Sequence, residues 1–177
     1  NIRYVGEIAA KDTTPLTLAL VKGLLKPILQ ETVNYVNARV IAKERGINII
    51  ESKSSDIEDF ANLITVEIET NKAKNLVMGT LFTKVDPRIV KINEFYVDAV
   101  PKGCMLVISN IDLPGVVGSI GQILGEAKIN IAGMTFGRVK EGGKALTILN
   151  IDCPVTDEIV NKLKKSPNIS DVKFVRL

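Results

Sequence analysis

Asn110, Asp112 and Asn130 are the polar residues most suited to ligand chemistry in this 177-residue chain. They bracket the stretch "NIDLPGVVGSIGQILGEAKINIAG" (110–133). A carboxylate such as Asp112 accepts an ammonium group, and asparagine amides serve a carboxylate or a hydroxyl. The backbone N–H groups of Val116 and Val117, at the start of a predicted helix, offer a carboxylate site. This set matches a small amino acid zwitterion. The plainer alternatives are an N-cap for Asp112 and a turn residue for Asn130.

The same stretch invites a nucleotide reading, because glycine-rich strand-to-helix turns cradle phosphates. Its glycines, however, run G-x-x-G-x-x-G at 115, 118 and 121, without the tight G-x-G turn of a dinucleotide fingerprint. A stripe of Gly118, Gly121 and Gly125 also suits close packing of another backbone. Each such glycine costs up to about 1 kcal/mol against alanine in a helix, and a close contact or a ligand must offset that cost.

Catalytic candidates are scarce. The chain has no histidine, which removes Ser–His and Cys–His nucleophile pairs. Two separated cysteines, Cys104 and Cys153, close neither a zinc site nor a disulfide framework. No catalytic residue and no metal site are assigned. The net charge is only +3, with Lys and Arg spread along the chain, so no nucleic-acid footprint is indicated. No apolar run approaches the roughly 20 residues of a membrane helix. The start "NIRYVGEIAA" reads as a strand rather than a signal peptide. The missing initiator Met suggests a fragment, and the expected compartment is the cytoplasm.

The elements that must position these residues follow from punctuation and periodicity. Pro101 and Gly103 divide the chain into 1–101 and 102–177. In the second part, 103–110 reads as a strand and 114–128 as a helix, with Pro114 in its first turn. Its apolar face is Val117, Ile120, Ile123, Leu124 and Ala127. Strands follow at 129–139 and 144–153, then a helix at 156–165 capped by Thr156, and a last strand at 169–177. The order βαββαβ is ferredoxin-like. In such a unit Asn130 lies away from Asn110 within one copy, and two copies side by side would bring them together.

In the first part a strand (2–9) precedes a helix at 13–29, apolar nearly all round and so expected to be buried, with Pro27 bending or ending it. A second helix spans 34–46, stopped by Gly46. Strands follow at 47–53, 63–69, 75–82, 88–93 and 95–100. The expectation is an α+β chain: a mixed sheet with two helices on one face, then the βαββαβ unit.

The run N-x-D-x-P-G-V-V-G-x-I-G-x-I-L-G-x-x-x-I-N-I-A-x-M resembles the ACT domain, a ligand-binding regulatory unit, in the form seen in the D-3-phosphoglycerate dehydrogenase family. "LALVKGLL", "VNYVNARVIAKERGI", "VMGT", "PRIVKIN" and "FYVDAVPKG" resemble the allosteric substrate-binding (ASB) domain of that family. The resemblance implies a regulatory region without catalysis of its own, from an enzyme that uses NAD on 3-phosphoglycerate in serine synthesis. It implies ACT domains paired side by side into a homo-oligomer, with L-serine bound at the interface by Asn110, Asp112, Val116, Val117 and Asn130. Some members have His or Tyr where Asn110 stands. It implies an anion or phosphate-bearing substrate near Arg88, with Lys91 and Lys102 as neighbours. A further basic residue of the family aligns with Val100, so that contact is lost. Asn37, Arg45, Gly79 and Thr80 would line the same region more weakly. Alternatives are the ASB- and ACT-like part of an L-serine dehydratase, whose iron–sulfur cluster two cysteines here do not supply, and a free-standing amino acid sensor.

Overall fold

A computed structural model describes residues 1–56 and 60–177. The chain forms two compact units, Asn1–Thr80 and Leu81–Leu177.

The first unit contains β1 (Ile2–Gly6), α1 (Thr14–Leu29), α2 (Ala38–Glu44), β2 (Glu51–Ser54), β3 (Asn62–Glu69) and β4 (Lys74–Leu81). The strands run in the order β2-β1-β3-β4; β1 and β2 are parallel and the other pairs antiparallel. Val21, Leu25, Val33, Ala38 and Ala42 form the core shared by the two helices. A polar chain ties both helices to one face of the sheet. Tyr4 on β1 bonds Thr17 of α1 at 2.8 Å, Thr17 donates to Glu51 of β2 at 2.8 Å, and Arg39 of α2 pairs with Glu51 at 2.5 Å. Burial, partly offset by the Thr17 bond, raises the pKa of the Tyr4 phenol.

Helix α1 departs from the expectation of all-round burial. Thr17, Val21 and Leu25, spaced by four, face inward, while Leu24 and Ile28 are 39% and 70% exposed. Two layers can cover only one stripe of a helix, so apolar composition all round did not imply burial all round. Pro27 lies inside α1, which ends two residues later where Gln30 adopts φ +51°.

The second unit opens with a hairpin, β5 (Pro87–Ile92) and β6 (Phe95–Ala99). There follow β7 (Cys104–Ile111), α3 (Val116–Glu126), β8 (Ile131–Arg138), β9 (Lys144–Ile151), α4 (Asp157–Lys164) and β10 (Ile169–Arg176). The four-stranded sheet has the order β10-β7-β9-β8, all antiparallel, which is the ferredoxin-like arrangement. Its two sides are both covered. Leu106, Ile108, Leu149 and Ile151 pack under Ile120, Leu124 and Leu163 of the helices. Met105, Leu146 and Ile148 pack against Phe95 and Ala99 of the hairpin.

With apolar neighbours on both sides, β9 is buried along most of its length, which is why "KALTILNI" lacks polar alternation. Gly137 of β8 lies where a Cβ would stand 2.5 Å from the Tyr96 carbonyl oxygen, so only glycine admits this approach of β6. Asn150 donates to the carbonyls of Val100 and Lys102 at 3.0 and 3.1 Å and pins the link between β6 and β7 to the sheet. The compact units thus divide upstream of the 101/102 punctuation. Among the described residues no helix is long and apolar enough to cross a membrane.

The α3 face also differs from expectation. The helix begins at Val116, because Gly115 takes φ +93° and ends the preceding turn at Pro114. Val116, Ile120, Ile123 and Leu124 are buried, whereas Val117 is 48% exposed and Ala127 is exposed. Three- and four-residue steps counted from Val116 leave Val117 about 100° around the helix, outside the core.

Candidate functional site

The end of β7 carries Asn110 and Asp112, and the strand register sets their neighbours. Asn110 lies opposite Ala145 of β9, and Ala145 lies opposite Arg138 of β8. Asn110 is 2% exposed. Its Oδ1 accepts from the Thr147 hydroxyl at 2.9 Å, and its Nδ2 donates to the Ile111 carbonyl at 3.0 Å. It therefore acts as the floor of this end of the sheet. Asp112 reaches the surface. Its backbone N–H donates to the Gly143 carbonyl at 2.8 Å, which holds it beside the β8–β9 turn. Its Oδ2 accepts from Arg138 Nη1 at 2.6 Å. That bond to Asp112, helped by more distant Glu141, makes Arg138 hold its proton more tightly.

The start of α3 lies close to Asp112 in the chain. The Val116 N–H donates to the Leu113 carbonyl at 3.4 Å, and the Ser119 N–H to the Gly115 carbonyl at 2.8 Å. The N–H of Val117 belongs to the first turn, where a helix supplies no carbonyl partner. Asn130 stands at the other end of the sheet. It precedes Ile131, which lies opposite Ile151, six residues along β9 from Ala145; at strand rise this is about 20 Å. Its Nδ2 donates to Asp152 Oδ2 at 2.8 Å. Within one copy Asn110, Asp112, Val116 and Val117 follow one another from the end of β7 to the start of α3, with the Asn110 side chain turned inward to Thr147, and Asn130 lies apart.

Between these ends runs an open apolar strip. A Cβ added at Gly118, Gly121 or Gly125 would meet nothing within 4 Å, so open space lies beside each of them. Val117 shares their side of α3. Met134 and Phe136, on the edge strand β8, are 42% and 37% exposed. They lie opposite Leu149 and Thr147, on the helix side of the sheet.

The second candidate region lies on the hairpin. Arg88 is mostly buried, pairs with Asp86, and bonds Asp98 Oδ1 through Nε at 2.9 Å. Its guanidinium also stands 5.2 Å from the centre of the Phe82 ring. Lys91 lies over the Tyr96 ring at 4.6 Å. Lys102 is exposed in the link to β7. In the first unit, Asn37 is occupied in a turn with Asn34 and Thr32, Thr80 donates to the Asn62 carbonyl at 2.5 Å, Gly79 lies opposite Ile64, and Arg45 caps the end of α2. Cys104 and Cys153 are both free thiols, and among the described residues no group of His, Cys, Asp and Glu could hold a metal.

Sequence reasoning missed Arg138 and Thr147. Only the antiparallel register places either of them against Asp112 or Asn110. A cation ending one strand and an acid ending another were visible, but their pairing was not.

Comparison with known proteins assigns both parts. Residues 1–93 match the D-3-phosphoglycerate dehydrogenase intervening domain, and residues 105–168 match the ACT domain. The chain is 41% identical over 176 residues to D-3-phosphoglycerate dehydrogenase of Bacillus subtilis, covering 99% of this chain and 34% of that protein. It is 39% identical over 174 residues to the enzyme of that name from Methanocaldococcus jannaschii, covering 98% and 33%. The Archaeoglobus fulgidus protein of the same name is 41% identical over 174 residues, covering 97% and 33%. The chain thus spans about a third of the length of these relatives. With an intervening domain followed by an ACT domain, it belongs to the D-3-phosphoglycerate dehydrogenase family and corresponds to the regulatory region of its members.

Proposed function

We propose that this chain is the effector-sensing part of an NAD-dependent D-3-phosphoglycerate dehydrogenase of serine synthesis, acting in the cytoplasm, and that L-serine binds where two ACT domains meet. The modules would be ASB (1–101) and ACT (102–177). The observation that carries the reading is the open strip of Gly118, Gly121 and Gly125 beside Val117, Met134 and Phe136. An edge strand and a helix that leave this much apolar surface and unused glycine space suit a second copy. If β8 pairs antiparallel with its equivalent about a two-fold axis, the start of one strand meets the end of the other. Asn130 of the partner subunit then comes to Asp112, across the roughly 20 Å that separates these residues in one copy.

Serine bound at both ends of such a seam holds the paired state. A ligand shifts an equilibrium only through its different affinity for the two states, and couplings of about 1–3 kcal/mol are typical. An anionic substrate near Arg88, Lys91 and Lys102 would have to compete with the two carboxylates that Arg88 already holds.

Isothermal titration with L-serine, with D-serine as control, tests the site. Sedimentation in the same buffers tests the pairing. Stereoselective binding near one ligand per ACT domain, with tighter dimers in L-serine, is the expected result. Gly121→Phe should fold, since nothing lies within 4 Å of the added Cβ, yet block pairing and serine binding together. Dimers and serine affinity that survive this change would sink the interface.

A further inference from the structure

Asp112, the residue expected to receive the effector's ammonium group, already has a cation. Arg138 Nη1 lies 2.6 Å from Asp112 Oδ2, with the carboxylate side chain 19% exposed and the guanidinium side chain 51% exposed. The pair is set by register, because Arg138 ends β8 two strands away from Asn110. An ammonium ion that simply displaced Arg138 would leave the guanidinium without its counter-charge. A zwitterion does not have this cost. Its ammonium replaces Arg138 at Asp112, and its carboxylate meets the released guanidinium, so one ion pair becomes two. Arginine is suited to the second half of this exchange. It has five N–H donors in a planar fork, and Asp112 is its one side-chain partner among the described residues.

We propose that the free amino acid inserts into the Asp112–Arg138 ion pair, and that Arg138 is the residue that reads the ligand's α-carboxylate. The inference rests on the amino acid site proposed above and adds its specificity. Arg138 and the first-turn N–H of Val117 share the carboxylate, whose two oxygens have room for both. A molecule with only one of the two charges leaves Asp112 or Arg138 without a partner. Amino alcohols and hydroxy acids are therefore rejected by charge, whatever their shape.

The experiment titrates the chain and two variants, Arg138→Gln and Arg138→Lys, with L-serine and with 2-amino-1,3-propanediol, which keeps the ammonium and hydroxyl but lacks the carboxylate. The unaltered chain should prefer serine at least about tenfold, the size of one charge-assisted contact. Arg138→Gln should weaken serine about tenfold and leave the diol unchanged or tighter, so the preference collapses. Arg138→Lys, which keeps the charge and loses the fork, should fall between. Thermal melts check folding, and the Lys variant decides if the Gln variant does not fold. Serine binding that is unchanged or tighter in the Gln variant overturns the inference, as does an unchanged preference in the Lys variant. If the unaltered chain binds no serine, the amino acid site itself falls; if it binds and Arg138 is indifferent, only the present inference falls.

Discussion

Two arginines of the second unit show opposite charge balances. Arg88 faces two carboxylates, Asp86 and Asp98, and is mostly buried against Phe82. Arg138 faces one carboxylate and is half exposed. The first arrangement carries surplus negative charge, so an incoming anion must displace a carboxylate. The second is balanced and open, so a ligand carrying both charges enters without leaving an unmatched group. A basic residue in the right place is therefore not enough to make an anion site; the acids around it decide.

The largest expected effect comes from removing the floor beneath the balanced site. Asn110→Ala leaves the buried Thr147 hydroxyl without its acceptor and opens a small void. It should cost about 2–3 kcal/mol in urea unfolding. A stability equal to that of the unaltered chain would show that the pair at Arg138 needs no such support.

Asp112→Ala should weaken L-serine roughly ten- to a hundredfold in titration, with little change in the melt, since it removes a charged acceptor near the surface. Unchanged affinity would show that the balanced site is not the effector site.

Asp98→Asn tests the overcompensated site. It removes one of the two charges on Arg88 while keeping the side chain's shape. Inorganic phosphate should then bind roughly threefold more tightly, from the loss of one partly screened competitor. No gain would show that Arg88 is closed to anions by packing rather than by charge.

The smallest effect concerns the exposed pair between α3 and α4. Lys162, 2.6 Å from Glu126, and then Gln122 hold the Glu126 carboxyl below its ordinary pKa. A depressed folded value stabilises the fold above the ordinary glutamate pKa, and that contribution is lost as pH falls through the lowered value. Lys162→Met should therefore lose less melting temperature between neutral and acid pH than the unaltered chain. Parallel curves would mean that this pair adds nothing.

Much of the fold was legible. The βαββαβ order, the Thr156 cap, which accepts from the Ile159 N–H at 3.4 Å, and the strands from 62 to 99 followed from local period and turn chemistry. Misread details share one cause. Val117 was assigned to the core and α1 to full burial because apolar identity says that a residue prefers the interior, not which stripe the neighbouring layer covers. The candidate site was half legible. Asn110 and Asp112 stood out by type and position, while the burial of Asn110 and the occupation of Asp112 and Arg88 by counter-charges did not.

By itself the sequence determined the order of the elements, the lack of histidine among the available side chains, and the residue types that suit a zwitterion. These depend on side-chain chemistry and on spacing within one segment. The tertiary structure alone decided which charges meet. Arg138 reaches Asp112 past the intervening strand β9, and Asp98 reaches Arg88 across a hairpin, because antiparallel register joins residues that are remote in the chain. Ion-pair energy falls with distance and depends on burial, and both are set only when the strands pair.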